Sequence, residues 1–368
     1  MRLSQLSLTH FRNYEKEFLE FTQETNVFFG SNAQGKTNIL EAIYLLATLQ
    51  TFRQTHTKEL IQWEHSESIL EGTFCHDDIE QKFSLLITEE SKKPRINDKM
   101  VKNIADYFGA INVICFCPLD LQILQGSPRG RRRYLDQALF NVVPSYGVDI
   151  GHYYRALLQK NAALRLDQWE MADIWGEKLL VLGAKILLKR LQFIAKLNTL
   201  TSCLYREISG ANEEIILHYE TEVNTSNIDN LSEFLLLDLL REKQKGLLNQ
   251  ERRMKRALVG PHRDDFSIFI KEKDLKAFGS QGEQRTAILA LKLSELLVLE
   301  KEKGVKPIFL LDDISSELDN QRKSFLFQAL REKNTQVFVT TTDVKSIYMD
   351  KKESSVFKVE KGKACLLK

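Results

Sequence analysis

The sequence has no apolar run long enough to cross a membrane, and it has few of the residues that mark secreted or zinc-bound proteins. Its run Leu179–Leu188 is short and contains Lys185, whereas a membrane-spanning helix needs about 20 apolar residues. The five cysteines are odd in number and none forms a Cys-x-x-Cys pair, which argues against a disulfide framework or a zinc ribbon. The beginning of the sequence lacks the apolar region of a signal peptide. We therefore expect a soluble, cytoplasmic protein.

An excess of charge of one sign is also lacking. Lys and Arg together number 52 and Asp and Glu number 50, which gives a net charge of +2. The overall charge therefore does not predict a polyanionic partner, and any such prediction must rest on local clusters. The 43% hydrophobic content excludes global disorder, and a chain of 368 residues is long enough for two or three domains.

Proline is scarce, and its spacing divides the chain. Four of the six prolines lie between Pro94 and Pro144, and the next is Pro261. The interval is rich in helix-forming residues, with helical spacing over 151–170, 173–208 and 231–256 and one strand-like segment at Glu214–Tyr219. On either side of it, apolar strands alternate with helices, which predicts a parallel sheet covered on both faces. We expect an α/β domain formed by residues 1–127 and 257–368, interrupted by a mostly helical domain at 128–256.

The strongest motif lies between the strand Val27–Phe29 and a helix predicted over 38–49. Its eight residues match G-x-x-x-x-G-K-[ST]: Gly30, Ser31, Asn32, Ala33, Gln34, Gly35, Lys36 and Thr37. In such a P-loop, the glycines let backbone N–H groups wrap the phosphates, the lysine brings positive charge to the β- and γ-phosphates, and the threonine offers a hydroxyl to Mg²⁺. A chance match is the alternative, and the strand–helix context disfavours it. The motif predicts that ATP and Mg²⁺ bind here.

A second motif is the apolar strand Ile308–Leu311, which leads directly to Asp312 and Asp313. Ligands of open α/β sheets bind at the carboxyl ends of the strands, so we predict that Asp312 holds Mg²⁺ and that Asp313 is the catalytic base, with Lys36 as the second catalytic residue. A surface turn after a core strand is the alternative. The two motifs lie 275 residues apart, which agrees with an interrupted ATPase domain.

A third segment, Ser280-Gln281-Gly282-Glu283, precedes a helix predicted over 283–303. Hydroxyl and amide donors at a helix start can bind an anion, although an ordinary helix cap is the alternative. The order of these three motifs, followed by Ser316–Asp319, resembles the ABC-type ATPase head, and within it the Rad50 and SMC branch, which has a glutamate at the position of Glu283. Three further blocks narrow the resemblance to the RecF family of bacterial recombination proteins: Leu8–Tyr14, Gly126–Asp136 and Gly260–Asp265.

The resemblance implies several properties that the residues alone do not. Ser280, Gly282 and Glu283 would form the signature motif, which completes the ATP site of a second protomer, and Ser316 and Asp319 would belong to a loop that links the two sites. The protein would be a weak, DNA-stimulated ATPase that forms an ATP-dependent homodimer on single- and double-stranded DNA. It would act with RecR, RecO and RecA in gap repair, with no membrane partner. Two departures concern Asp313, where many relatives have Glu, and Thr341 or Thr342, where a switch histidine is common.

Two basic clusters flank the predicted helical domain. Their members are Arg129, Arg131, Arg132 and Arg133 at its start and Arg252, Arg253, Lys255 and Arg256 at its end. Because the planar guanidinium matches phosphate oxygens, these clusters are candidate DNA contacts. A solvated face or internal ion pairs remain the alternative. Arg12 and Asn13 are weaker candidates for reaching the nucleotide from the first strand.

Two other functions share some of these motifs. The motor subunit of a membrane transporter has the same nucleotide motifs, but its signature usually reads Leu-Ser-Gly-Gly-Gln. A purely structural SMC-type head needs a long coiled coil, and the predicted helical domain is too short and too irregular in its periodicity to supply one.

Overall fold

The computed structural model describes residues 1–53, 55–76, 79–102, 107–224, 231–344 and 354–367. In chain order the strands are β1 (Arg2–Phe11), β2 (Tyr14–Glu20), β3 (Thr25–Phe29), β4 (Glu67–His76), β5 (Ile79–Thr88), β6 (Lys92–Ile96), β7 (Lys99–Met100), β8 (Val113–Phe116), β9 (Ile215–Glu220), β10 (Asp265–Ile270), β11 (Lys273–Asp274), β12 (Ile308–Leu311), β13 (Val337–Thr341), β14 (Ser354–Glu360) and β15 (Lys363–Leu366). The α-helices are α1 (Lys36–Thr48), α2 (Gln122–Gln125), α3 (Pro128–Val142), α4 (Pro144–Arg165), α5 (Trp169–Ser209), α6 (Glu233–Met254), α7 (Leu275–Phe278), α8 (Gln281–Lys303), α9 (Ile314–Glu317) and α10 (Asn320–Glu332).

The chain forms two compact units. The first contains Met1–Leu121 and Arg285–Lys368, and the second contains Gln122–Gln284. The first unit has two six-stranded sheets: an antiparallel sheet of order β2-β1-β4-β5-β6-β7 and a mixed sheet of order β15-β14-β3-β13-β12-β8. Helix α1 contacts strands of both sheets and is buried along nearly its whole length, which explains why its sequence is apolar on all sides.

The mixed sheet positions the predicted nucleotide motifs. Strands β3, β13, β12 and β8 are parallel neighbours, as the sequence predicted for its apolar strands, with Thr341 opposite Phe29 and Leu311 opposite Val339. Their carboxyl ends therefore meet at one edge of the sheet. The P-loop follows β3 at that edge, and Asp312 follows β12.

The second unit differs from the expected domain boundaries. It extends beyond 128–256 because β10 pairs with β9 over six residues, from Asp265 opposite Glu220 to Ile270 opposite Ile215. The sequence analysis assigned residues 257–368 to the ATPase domain, and Asp265–Ile270 with them. The hydrogen-bonding edge of β9 decides to which unit this strand belongs.

A buried polar network connects the start and the end of this second unit. Arg190 on α5 is fully buried and donates to Asp136 over 2.7 Å, to Tyr146 over 2.9 Å and to the carbonyl of Pro261 over 2.8 Å. Tyr219 donates to Asp264 over 2.8 Å. A buried charge is tolerated only when its hydrogen-bonding groups are paired. These contacts give a structural role to the blocks Gly126–Asp136 and Gly260–Asp265.

Candidate nucleotide-binding site

The P-loop turns tightly between β3 and α1, and two glycines make this turn possible. A Cβ atom on Gly30 would lie 2.3 Å from the carbonyl oxygen of Val359. Gly35 has a φ of 113°, and a Cβ atom there would lie within 3 Å of Asn13 and of the Tyr14 hydroxyl. Glycine is therefore required at both positions for steric reasons as well as for access of a phosphate to the backbone.

Lys36 opens α1 and folds back over the loop. Its Nζ donates to the carbonyl oxygens of Gly30 and Ser31, over 2.8 Å each. Burial lowers the pKa of Lys36, and the nearby carboxylates of Asp313 and Asp312 act in the opposite direction. The ammonium group thus lies between the phosphate-binding loop and the two carboxylates.

Thr37 and Asp312 meet directly although they lie 275 residues apart. The Thr37 hydroxyl donates to Asp312 Oδ1 over 2.7 Å, and the Thr340 hydroxyl donates to the same oxygen over 2.7 Å. Burial raises the pKa of Asp312, while these two hydrogen bonds lower it. The sequence analysis missed Thr340, because nothing in the local pattern of β13 distinguishes its hydroxyl from those of Thr341 and Thr342.

Asp313 lies in the left-handed region, with φ 49° and ψ 46°, which is sterically unfavourable for a residue other than glycine. Its backbone N–H donates to Thr340 Oγ1 over 2.8 Å, and the Ser315 hydroxyl donates to Asp313 Oδ1 over 3.2 Å. The turn directs Asp313 to the same cleft as Lys36 and Asp312.

These groups line one cleft of about 390 Å³. Its lining residues are Asn32, Ala33, Gly35, Lys36, Thr37, Asn38, Arg53, Pro118, Asp312, Asp313 and Thr340. Arg53 is a second residue that sequence reasoning missed. Its guanidinium donates to Asn38 Oδ1 over 3.0 Å and lies 3.6 Å from the buried carboxylate of Glu41, so α1 holds this cation at the cleft.

The cleft offers the donor atoms that Mg²⁺ prefers. A hydroxyl from Thr37 and a carboxylate from Asp312 are hard oxygen ligands. The described residues contain no group of three or more His, Cys, Asp or Glu side chains that could hold a metal. Mg²⁺ does not need such a group, because it is commonly bound by one or two carboxylates together with substrate phosphates. The residues present therefore fit a nucleotide-bound Mg²⁺.

Arg12 and Asn13 do not line the cleft, but they form hydrogen bonds with residues of the P-loop and of α1. Arg12 forms a two-point ion pair with Glu41 on α1, over 2.9 and 2.8 Å. Asn13 donates to the carbonyl of Gln34 over 2.9 Å and accepts from Asn38 over 2.8 Å. These contacts support the P-loop and its helix, and the approach of the two residues to the nucleotide stays a prediction.

The signature segment belongs to the second unit and forms a capping box at the start of α8. The backbone N–H and the hydroxyl of Ser280 both donate to Glu283 Oε2 over 2.7 Å, and the Glu283 N–H donates back to Ser280 Oγ over 3.3 Å. These hydrogen bonds lower the pKa of the Glu283 carboxyl. Gly282 is on the first turn of the helix. The arrangement satisfies helix N–H groups that otherwise lack a partner.

The predicted dimer loop lies across α9 and the start of α10. Ser316 is in α9, and its side chain is outside the part of the chain that the structure describes. Asp319 caps α10 by accepting from the Arg322 N–H over 2.9 Å, and it also pairs with the Arg322 guanidinium.

The two basic clusters separate into buried and exposed members. Arg131 is buried and forms a bidentate pair with Asp265 over 2.6 Å, which favours the alternative of an internal ion pair for this residue. Arg132 donates to the carbonyl of Asp264 over 2.7 Å. The cationic groups of Arg252 and Lys255 lie over the ring of Trp169 and pair with Asp173 and Asp167, respectively. The remaining members, Arg129, Arg133, Arg253 and Arg256, are exposed.

Comparison with known proteins agrees with this geometry. The family described as RecF/RecN/SMC N terminal domain matches residues 2–364. The chain is 39% identical to the DNA replication and repair protein RecF of Geobacillus thermodenitrificans over 98% of both chains. It is 37% identical to the protein of the same name from Geotalea daltonii over 99% of both chains. The chain belongs to the RecF family.

Solved structures of RecF extend the match to three dimensions. The recombination mediator protein RecF with ATP, described as part of the RecFOR pathway, superposes with a TM-score of 0.91 at 32% identity, over 100% of this chain and 97% of that chain. An SMC head bound to part of ScpA gives a TM-score of 0.58 at 15% identity, over 100% of this chain and 97% of that chain, which shows a shared fold only. The predicted RecF resemblance and ABC-type α/β head are thereby confirmed. In the described part of the chain, no helix is long and apolar enough to cross a membrane.

Proposed function

We propose that this RecF-family chain is a weak, DNA-stimulated ATPase of recombinational gap repair. Two copies would dimerise with ATP on DNA that joins single- and double-stranded segments, and together with RecR and RecO they would help to load RecA. Hydrolysis would act as a timer that limits how long the dimer stays on DNA. The names of the RecF relatives and the ATP-bound RecF of the RecFOR pathway support this proposal. A DNA partner implies that the protein works in the bacterial cytoplasm.

The contact between Thr37 and Asp312 carries the nucleotide part of the proposal. It joins the P-loop hydroxyl to the carboxylate at the end of β12 over 2.7 Å, in a cleft that also contains Lys36 and Asp313. An ATP-hydrolysing site needs a phosphate cradle, a cation, metal ligands and a group that orients water. All four requirements have a candidate residue in this one cleft.

The residues divide the chemistry between them. The P-loop N–H groups and Lys36 would bind the phosphates, and Thr37 and Asp312 would hold Mg²⁺, which neutralises charge on the phosphate oxygens. Asp313 would orient a water molecule towards the γ-phosphorus and take its proton. The new P–O bond forms from this water while the bond to the β-phosphate oxygen breaks, which releases ADP and phosphate.

The second half of the site would come from another copy. Ser280, Gly282 and Glu283 lie at the start of α8, a helix of 23 residues, and the side chain of Ser280 is exposed. The start of a helix favours an anion such as a γ-phosphate. To serve an opposing nucleotide, the Ser280 hydroxyl would exchange its bond with Glu283 for a bond to phosphate. Ser316 and Asp319 would lie along the same dimer interface.

Two groups of exposed cations are the proposed DNA contacts. The first group consists of Arg129, Arg253 and Arg256, which belong to the two basic clusters. These three side chains form no ion pair among the described residues. The second lies on the edge hairpin β6–β7, where Lys93, Arg95 and Lys99 are exposed and likewise have no ion pair in the described part of the chain. Lysines on an edge strand also prevent strands of different molecules from pairing, and the salt dependence of DNA binding separates the two explanations.

The transporter and structural-head alternatives have less support. The signature segment reads Gly279-Ser280-Gln281-Gly282-Glu283, which differs from Leu-Ser-Gly-Gly-Gln at its first, third and fifth positions. The chain belongs to the RecF family. The longest described helix, α5, is not a free coiled-coil arm, because it contacts α4, α6 and β9.

A filter-binding titration tests the proposed function. We expect ATP to tighten binding to gapped DNA more than to a fully duplex or a fully single-stranded control. Lys36→Ala removes the P-loop side-chain cation and should abolish the effect of ATP while leaving nucleotide-free DNA binding unchanged. Equal affinity for all three DNAs with and without ATP would contradict an ATP-controlled DNA-binding protein.

A further inference from the structure

One buried hydroxyl connects the Asp312 carboxylate to the backbone of Asp313. Thr340, near the end of β13, is 1% exposed. Its Oγ1 donates to Asp312 Oδ1 over 2.7 Å and accepts from the Asp313 N–H over 2.8 Å. A threonine hydroxyl has one proton to donate and two lone pairs to accept with, so both hydrogen bonds form at the same time.

The sheet register brings this hydroxyl to its partners. Strands β12 and β13 are parallel, with Leu311 opposite Val339. Asp312 directly follows the end of β12, and Thr340 is the next residue of β13. The β-branched side chain of Thr340 has few accessible rotamers, so the direction of its hydroxyl is restricted. A valine would occupy nearly the same volume and could form neither hydrogen bond.

Asp312 is restrained by two hydroxyls on the same oxygen. Thr37 reaches Oδ1 from the P-loop helix and Thr340 reaches it from β13. Among the described residues, no hydrogen bond to Oδ2 accompanies them. The carboxylate is therefore held through one oxygen, and the other stays available as a ligand for a cation.

The second bond of Thr340 acts on the backbone of Asp313. This residue has a left-handed conformation, which is sterically unfavourable for a residue with a side chain. The hydrogen bond from its N–H to Thr340 Oγ1 opposes relaxation of the turn. The same hydroxyl thus restrains the metal-binding carboxylate of Asp312 and the backbone turn that carries the carboxylate assigned to the water.

We propose that Thr340 is a positioning residue for Mg²⁺-dependent hydrolysis at this site. It acts through Asp312 and Asp313 and not by touching the nucleotide. The inference rests on the proposed ATPase function and adds to it a residue outside the P-loop, the signature segment and the Asp312–Asp313 pair.

Thr340→Val in the full-length protein is the direct test. Loss of a residue that orients metal ligands typically costs about 10–100-fold in metal affinity or activity. We expect turnover to fall within that range, and the Mg²⁺ concentration for half-maximal binding of a fluorescent ATP analogue to rise by about tenfold. Binding of the analogue in EDTA should change by less than about twofold, because the P-loop and Lys36 are unaltered.

Two further variants make the result specific. Thr340→Ser keeps the hydroxyl and should restore turnover and the Mg²⁺ requirement to within about threefold of the parent. Thr335→Val removes a buried hydroxyl just before the same strand that has no hydrogen-bond partner among the described residues, so this variant should match the parent. If Thr340→Val unfolds, Thr340→Ala, which removes the hydroxyl with a smaller side chain, gives the same comparison with Thr340→Ser.

The possible outcomes separate this inference from the proposed function. A parent that binds no ATP analogue with Mg²⁺ contradicts the proposed function itself. If the parent binds it and Thr340→Val shows the parental Mg²⁺ requirement and turnover, the positioning role is wrong. The role is also wrong if Thr340→Ser is as impaired as Thr340→Val, since the defect would then come from packing and not from the hydroxyl.

Discussion

Single residues in the cleft are subject to opposing electrostatic effects. Burial lowers the pKa of Lys36 and raises that of Asp312, so each charged form is disfavoured by its own surroundings. Each is stabilised by the opposite charge or by hydroxyl donors close by. Groups that shift each other's pKa in this way are typical of functional sites. We therefore expect that replacing one of them affects the neighbouring side chains of the cleft more than it affects the fold.

Asp313→Asn tests the assignment of the water-orienting carboxylate. An amide cannot accept the proton of the attacking water, whereas Asp312 and Thr37 can still hold Mg²⁺. General-base catalysis contributes about 10²–10⁴-fold, and we expect the lower end because the parent is proposed to be slow. Turnover should fall while ATP binding persists, and the ATP-bound protein should dissociate from DNA more slowly.

Lys36→Ala is the matched comparison, because it should shorten the residence on DNA with ATP instead of prolonging it. Turnover rates and dissociation kinetics from gapped DNA, measured side by side, show the sign of each effect. Parental hydrolysis by Asp313→Asn, or dissociation as fast as that of the parent, would mean that Asp313 is not the catalytic carboxylate.

At the scale of secondary-structure elements, the start of α8 combines a structural and a proposed functional role. Its capping box holds Ser280 and Glu283 together, and loss of an N-cap costs about 1 kcal/mol. A variant that only weakens the helix must therefore be distinguished from one that blocks an interface. Ser232 caps α6 in the same unit by accepting from Leu235 over 3.2 Å, which makes it a suitable control.

Ser280→Arg should leave ATP binding by the monomer intact and prevent ATP-dependent dimerisation. A bulky cation at the helix start would obstruct the opposing phosphate, and the nucleotide cleft of the same chain keeps its own ligands. Size-exclusion chromatography with ATP measures the effect, and Ser232→Arg should dimerise like the parent. A normal dimer peak for Ser280→Arg would show that this helix start is not at the interface.

The two groups of exposed cations proposed as DNA contacts should control the salt dependence of DNA binding. The slope of log affinity against log salt falls by roughly 0.7–0.9 for each phosphate that the protein no longer neutralises. Replacing Arg129, Arg253 and Arg256 with Gln, or Lys93, Arg95 and Lys99 with Gln, should lower the slope in proportion to the number of phosphates that these side chains neutralise. Arg131→Gln should instead reduce stability, because it leaves the half-buried Asp265 carboxylate without its bidentate partner. An unchanged slope in both triple variants would remove both groups as DNA contacts.

At the scale of the whole molecule, the second unit depends on charged groups that are buried together. Arg190, Asp136 and Asp264 lie far apart in sequence and meet in its interior. Breaking a buried pair by removing one partner is strongly destabilising, by about 3–5 kcal/mol, since the other charge stays buried. The network therefore makes the unit sensitive to mutation of any one of its charged members.

His262 makes the stability of the same unit depend on pH. Its Nδ1 lies 2.6 Å from the Tyr153 hydroxyl, and burial lowers its pKa to about 4. The unfolded chain binds the imidazole proton below pH ~6.5 and the folded chain only below about 4, so folding stability falls as the pH drops through this window. We expect His262 to contribute a loss of about 2 kcal/mol between pH 7 and pH 5.

Urea unfolding at the two pH values isolates this contribution. His262→Gln removes the titrating group, so its free energy of unfolding should fall less between pH 7 and pH 5 than that of the parent. His152→Gln changes an exposed histidine of the same unit and should show the parental pH dependence. If His262→Gln loses as much stability as the parent, His262 does not titrate in this window.

Features that are encoded by residues close together in the chain could be predicted from the sequence alone. The P-loop is eight consecutive residues between a strand and a helix, and its order relative to Asp312 and Ser280 predicted the ABC-type fold. The blocks Leu8–Tyr14, Gly126–Asp136 and Gly260–Asp265 then narrowed the prediction to the RecF family. The helices over 144–165, 169–209 and 233–254 agree with the helical spacing of their own residues. In each case, local geometry sets the pattern: a helical repeat, a strand leading to a polar turn, or a glycine where the backbone must turn tightly.

Which distant groups meet, and which are buried, became known only from the folded chain. The sequence did not show that Asp265–Ile270 pairs with β9, that Arg131 is buried while Arg129 is exposed, or that Thr340 joins Asp312 to Asp313. Strand partners and register depend on contacts between segments that are far apart in the chain. Whether an arginine is exposed depends on the elements packed around it. A hydroxyl acquires a role in the cleft only when the sheet places it opposite a carboxylate.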